Sequence, residues 1–188
     1  EATKLVNREK VYYSNVLEIA DWWTPLDAGP YWGMFHFPDA RAIGLQGGEV
    51  MAEALGGKGK TLLLLGFPGS KAGNDRGLGY KQALENYPGL EVIDEEYGDF
   101  IRDKGYKITS DWIIKYGEEI DGIYCTNTSM AVGAAVACKE AGLDDVIVIG
   151  TDANKANMKY LEDGSIYAIC GIFGPWLAGH AAVVAYDM

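Results

Sequence analysis

The sequence predicts an α/β domain built as a doubly wound parallel sheet. Three observations predict it. From Thr61 onward, short apolar runs recur as TLLLLG, LEVI, DGIYC and DVIVIG, and each gives way to a polar loop. Continuous apolar runs are what strands covered on both faces look like. After each loop comes a segment with helical apolar spacing, and strands alternating with helices of about 10–15 residues form parallel βαβ units with right-handed crossovers. Glycine and proline punctuate the pattern where such helices should stop, at Pro88-Gly89, Gly142 and Gly164.

The elements follow in order. Residues 10–17, KVYYSNVL, are rich in aromatic and branched side chains and read as a strand. Residues 18–30 form a loop carrying Trp22, Trp23, Pro25 and Pro30, and 31–37, YWGMFHF, a short strand stopped by Pro38. A helix is expected over 41–55, where Ile43, Val50 and Ala54 fall near helical spacing and Asp39 is placed to cap it. Strand 61–66 leads to helix 74–87, with Tyr80, Ala83, Leu84 and Tyr87 at i, i+3, i+4 and i+7. Strand 90–96 leads to helix 107–118. Strand 121–125 leads to helix 128–141, with Met130, Ala134, Cys138 and Ala141 on one stripe and Gly142 as the C-cap. Strand 145–150 leads to helix 153–162, and strand 166–172 to a final helix from Pro175.

Composition narrows the function. The 188 residues carry a net charge of −11, which opposes binding to nucleic acid or to anionic membrane surfaces. Mean hydropathy is −0.06, and no apolar run approaches the ~18–20 residues a membrane-crossing helix needs. The three cysteines, Cys125, Cys138 and Cys170, sit inside apolar patterns without CxxC spacing and read as core thiols. His36 and His180 lack metal-ligand spacing, so no metal is expected. GGKGKT at 56–61 fails as a phosphate loop, because its first glycine would be Ala54 and its lysine enters a strand. RGLGYKQ lacks the third glycine of a dinucleotide fingerprint, and no Ser–His–Asp set with an elbow motif is present. No cofactor and no catalysis are expected. The chain begins at Glu1 without Met and stops inside the pattern WLAGHAAVVAYDM, which reads as a trimmed mature protein or a piece of a longer one.

In parallel sheets ligands bind outside the carboxyl ends of the strands. That edge should gather Arg76, Phe100, Asn127 and Asp152, and no two of them form a catalytic couple. Arg76 is expected to open a helix, where a cation opposes the macrodipole; it either reaches a ligand hydroxyl or carboxylate, or pairs with Asp75 or Glu96. Asp152 follows VIVIG and either caps the next helix or accepts hydrogen bonds from neighbouring hydroxyls. Asn127 offers a donor and an acceptor, and its alternative is also an N-cap. Phe100 follows acidic residues in a loop; its ring either stacks on the apolar face of a sugar or staples the next helix.

Read together, GGKGKTLLLLGFPGSKAGNDRGLGYKQALENYPGLEVI, DFIRDKGYKI, DGIYCTNTSMAVGAAVACKEAGL, VIVIGTDANKANMKYLEDGSIYA and the closing GP–G helix resemble the type I periplasmic-binding-protein superfamily. The resemblance is to sugar-binding proteins of ABC importers similar to ribose-binding protein, and covers about residues 38–188. It implies a flavodoxin-like three-layer lobe, and two lobes joined by a hinge that close on a ligand. Residues 1–38 would be the end of the first lobe with its crossover strand and hinge, 39–172 the second lobe, and 173–188 the return crossing and the start of a first-lobe helix. By position, Arg76 matches the family's arginine for ring hydroxyls, Phe100 its stacking aromatic, Asn127 its asparagine and Asp152 its sugar-binding aspartate. Phe173 stands near the position where the family often has Gln. Ser14 and Asn15 would edge the cleft, and Trp22 or Trp23 either covers the ligand or packs in its loop. The implied partners are a small sugar or polyol and a membrane permease, and the implied place is outside the cytoplasm. The alternative is the effector-sensing domain of a LacI-type regulator, which shares the fold and would be cytoplasmic.

Overall fold

The computed structural model describes residues 8–9, 13–16, 32–36 and 38–171. The chain divides into two compact units, Glu1–Pro38 with Ile172–Met188, and Asp39–Gly171. In the first, β1 (Tyr13–Val16) and β2 (Trp32–His36) pair in parallel, with Ser14 opposite Met34 and Asn15 opposite Phe35. Both strands fall within the segments expected to hold them. Trp22, Trp23, Phe173 and the helix expected from Pro175 lie outside the described residues.

The second unit is organised around five strands: β3 (Lys58–Leu65), β4 (Gly89–Tyr97), β5 (Gly122–Cys125), β6 (Ile147–Thr151) and β7 (Ala168–Cys170). Their order is β4-β3-β5-β6-β7, and every pairing is parallel. The chain leaves β3 toward β4 on one side and returns to β5 on the other. The loops after β3 and β5 therefore diverge, which opens a crevice at the carboxyl edge between them.

The run TLLLL shows why the sheet has two covered faces. Successive side chains of a strand point to opposite faces. Leu62 and Leu64, with Ile123, Cys125 and Val148, pack under α3 (Arg102–Tyr116) and α4 (Thr128–Glu140). Leu63 and Leu65, with Tyr124, Ile149 and Cys170, pack under α1 (Ala40–Ala54) and α2 (Lys71–Leu84). Each fully buried leucine stabilises the fold by about 1.5–3 kcal/mol relative to an exposed one. The three cysteines are all free and buried, and burial pushes the Cys138 thiol up to about 12.

Helix ends decide where the site residues fall. Asp39 caps α1 as expected, accepting from the Ala42 amide at 2.9 Å. Helix α2 begins at Lys71 rather than at residue 74, because the Ser70 hydroxyl accepts from the Gly73 amide at 3.2 Å. It ends at Leu84, leaving Tyr87 beyond the helix though still packed on the core. Helix α3 begins at Arg102 rather than at 107; Ile101 precedes it without a side-chain cap, so no capping residue marks that start. On α4, Met130, Ala134 and Cys138 are buried, whereas Ala141 lies past the helix end and is exposed. The helix expected over 153–162 is reduced to α5 (Met158–Glu162), because residues 155–157 make a turn in which the Asn154 carboxamide oxygen accepts from the Asn157 amide at 3.1 Å.

One close approach fixes α2, and with it Arg76. Gly44 of α1 lies against the main chain of α2, where a Cβ would sit 2.0 Å from the Arg76 carbonyl oxygen. Only glycine lets the two helices meet there. Among the described residues, no helix is long and apolar enough to cross a membrane, and no group of three or more His, Cys, Asp or Glu is placed to hold a metal ion.

Candidate functional site at the carboxyl edge of the sheet

Thr126, the first residue past β5, knits the crevice. Its amide donates to the Leu64 carbonyl at 2.9 Å and its hydroxyl to the same oxygen at 3.1 Å. That leaves its own carbonyl facing α2, where it accepts from Arg76 Nη1 at 2.8 Å. Arg76 is the sixth residue of α2, not its opening residue, so the expected opposition to the helix macrodipole does not arise. It is 5% exposed. Nη1 also lies 2.8 Å from Asp152 Oδ2. The expected alternative, a pair with Asp75, is not formed; Asp75 pairs with Lys71 at 2.8 Å. Arg76 Nε is buried with no hydrogen-bond partner among the described residues. A guanidinium has five N–H donors in a fixed fork, so the edge of the sheet holds cationic donor capacity that the described residues do not use.

Asp152 follows β6 directly and has a φ of +68°, a region that residues with a Cβ rarely adopt. It does not cap a helix. Its amide donates to the Cys170 carbonyl at 2.9 Å, and its carbonyl lies 2.7 Å from the Thr128 hydroxyl. The carboxyl is half-buried. Burial pushes it above the ordinary carboxylate range, against the opposing pull of Arg76.

Phe100 and the preceding Asp99 also sit at positive φ, +60° and +54°. Two hydrogen bonds shape their loop: Gly98 N donates to Leu65 O at 2.9 Å and Asp99 N to Gly66 O at 3.0 Å. The Phe100 ring covers Gly66, where a Cβ would meet its Cζ at 2.1 Å, and the Phe67 ring meets it edge-on with centroids 5.6 Å apart. Asn127 takes its capping alternative and also ties down the loop of Phe100. Its Oδ1 accepts from the Met130 amide at 2.9 Å as the N-cap of α4, and its Nδ2 donates to the Phe100 carbonyl at 3.0 Å. One amide proton remains.

The residues expected at one edge fall into two linked pairs there: Arg76 with Asp152 through their side chains, and Asn127 with the Phe100 main chain. Ser14 and Asn15 lie on β1, in the other compact unit. The set offers a forked donor, an acceptor, an amide that is both, and an aromatic ring. No nucleophile and base are paired within it, and the carboxylate is matched by the guanidinium. This chemistry suits a neutral guest rich in hydroxyls.

A model of the periplasmic binding protein domain matches residues 36–188. The chain belongs to that family. Among curated proteins, this periplasmic binding protein domain is similar to the xylitol-binding protein of Mycolicibacterium smegmatis, at 35% identity over 127 residues, 68% of this chain and 36% of that protein. It is similar to the ribose import binding protein RbsB of Haemophilus influenzae, at 32% identity over 149 residues, 79% of this chain and 50% of that protein. The chain therefore spans half or less of these relatives. Among solved structures, it resembles an ABC transporter solute binding protein from Bacillus halodurans with bound myo-inositol, with a TM-score of 0.81 and 27% identity over 99% of this chain and 64% of that one. It also resembles the binding component of the arabinose ABC transporter from Shewanella sp. ANA-3, bound to arabinofuranose, with a TM-score of 0.83 and 25% identity over 98% of this chain and 61% of that one. The family and these relatives are solute-binding proteins rather than enzymes.

Sequence reasoning missed two parts of this periplasmic binding protein domain's edge. One is the threonine set Thr126, Thr128 and Thr151, which ties the strand ends together and is fully or almost fully buried. Threonines flanking Asn127 and Asp152 in CTNT and GTD were the available signal. The other is the seat of the Phe100 ring on Gly66. Glycine after a strand gives no hint of which ring covers it.

Proposed function

We propose that this chain forms one lobe, with adjoining segments of a second, of a binding protein that captures a small sugar or polyol outside the cytoplasm and presents it to the permease of an ABC importer. Residues 39–172 form the second lobe; 1–38 and 173–188 belong to the first. Arg76, Asp152 and Asn127 bind hydroxyls, and Phe100 stacks on the ring or carbon chain. Ser14, Asn15, Trp22 and Phe173 are proposed as further ligand-binding residues. The observation that carries this reading is Arg76: a buried guanidinium held by Asp152 and Thr126 at the strand switch, with Nε left without a partner among the described residues. The names of the relatives, for xylitol, ribose, myo-inositol and arabinose, agree in ligand class and support it. Hydrogen bonds to charged groups are worth about 1.5–3 kcal/mol each, so several converging on one guest give micromolar or tighter binding. The test is a thermal-shift screen of the two-lobed protein against pentoses, hexoses and polyols. A raised melting temperature with one group of compounds, lost in Asp152→Ala and Arg76→Ala, is expected. Shifts that survive both substitutions would reject the site.

A further inference from the structure

Thr128 is 2% exposed and has no surface to offer a guest. Yet it touches Asp152, one of the site residues held at positive φ. Its Oγ1 lies 2.6 Å from the Thr151 carbonyl oxygen and 2.7 Å from the Asp152 carbonyl oxygen. A hydroxyl has one proton, and both neighbours are acceptors. That proton therefore serves two successive carbonyls, at the point where the chain turns from β6 into the left-handed Asp152. Aspartate adopts that conformation more readily than most residues with a Cβ, yet it still costs free energy that the surroundings must offset. Asp152 is held from both sides: Cys170 takes its amide proton at 2.9 Å, and Thr128 takes its carbonyl. With both flanking peptides fixed, its carboxylate is delivered to Arg76 Nη1 at 2.8 Å. Thr128 is itself immobilised as the first residue of α4, directly after the cap Asn127.

Resting on the sugar-binding reading above, we infer that Thr128 is a positioning residue: its hydroxyl sets the conformation of Asp152, and through it the aim of both Asp152 and Arg76, without touching the guest. Affinity is then tied to the seating of α4 against the end of β6. A merely structural threonine would join the helix to the strand and leave ligand affinity alone.

The test compares Thr128→Val, which keeps the shape and removes the hydroxyl, with Thr128→Ser, which keeps the hydroxyl; Thr128→Ala replaces the valine variant if that one does not fold. Two measurements are made. Calorimetric titration of the two-lobed protein with ribose, xylitol and myo-inositol reads affinity. Side-chain 1H–15N spectra of this 188-residue chain without ligand read the Arg76 guanidinium. Loss of the hydroxyl should weaken binding about tenfold and shift the Arg76 signals, while the serine variant matches wild type in both. The inference is overturned if the valine variant binds as wild type does, if both variants weaken alike, or if the Arg76 signals stay in place. If wild type binds none of the three probes, the Arg76 spectra alone decide the role of Thr128: signals that move in the valine variant but not in the serine variant support it, and signals that stay in place overturn it.

Discussion

Gly66→Ala probes the seat of the Phe100 ring. The added methyl would lie 2.1 Å from Phe100 Cζ and 2.6 Å from Cε1 and Cε2. Ordinary contact begins at 3.4 Å, so the ring tip must retreat by roughly 1.3 Å. The backbone at Gly66 is not at positive φ, so alanine itself brings no conformational strain. The ring is half-buried and can yield outward, which places the cost in the lower part of the usual 1–3 kcal/mol for overpacking, about 1–2 kcal/mol. At about 2–4 °C per kcal/mol for a chain of this size, the melting temperature should fall by about 2–8 °C. Ring stacking worth about 0.5–1.5 kcal/mol would be lost, weakening sugar binding between about twofold and tenfold. A double-mutant cycle isolates the cause. In a Phe100→Ala background the methyl meets no ring, so Gly66→Ala should cost almost nothing there, and the coupling energy should equal nearly the whole single-mutant cost. Denaturant titration of the four proteins reads it. An equal cost in both backgrounds would refute the seat.

Asn127→Ala removes the cap of α4 and the tie to the Phe100 carbonyl together; the loss should be about 1–2 kcal/mol by denaturant titration, and Asn127→Asp, which can still cap, should recover part of it. Full stability in the alanine variant would show that neither bond matters. Asp152 predicts a pH slope. Its folded carboxyl holds a proton more readily than the unfolded one, so the stability it contributes is present at acid pH and is lost as pH rises above the ordinary 3.8 through the raised folded value. Asp152→Asn should therefore gain on wild type as pH rises through that window, measured by denaturation at a series of pH values. A wild type that gains instead would mean that the attraction of Arg76 outweighs the cost of burial.

The parallel sheet was legible because its information is local. TLLLL, GIYC and VIVIG are apolar at both parities, and a strand needs that only when both faces are covered. Asp39 and Asn127 were legible as caps because a cap bonds three residues along its own chain. Helix starts were harder. Ser70 carried a capping side chain that the apolar spacing of Tyr80, Ala83 and Leu84 did not reveal, and Ile101 carried none. The capping alternative for Asp152 fails because the groups that turn it away from a helix, Thr128 at the start of α4 and Cys170 at the end of β7, come from elsewhere in the chain. The same distance hid the partner of Arg76. An arginine beside Asp75 reads as a local pair until the fold brings Asp152, 76 positions further along the sequence, to within 2.8 Å. The four residues proposed for the site could be named from strand ends and from resemblance; which of them hold one another could not.

The decisive measurement is a crystal structure of the two-lobed protein with the sugar or polyol that most raises its melting temperature. Hydroxyl oxygens within hydrogen-bonding distance of Arg76 Nε, Asp152 and Asn127, with a carbon face lying on the Phe100 ring, are the expected result. A ligand bound elsewhere, with Arg76 Nε still lacking a partner, would contradict the convergence of these side chains on one guest.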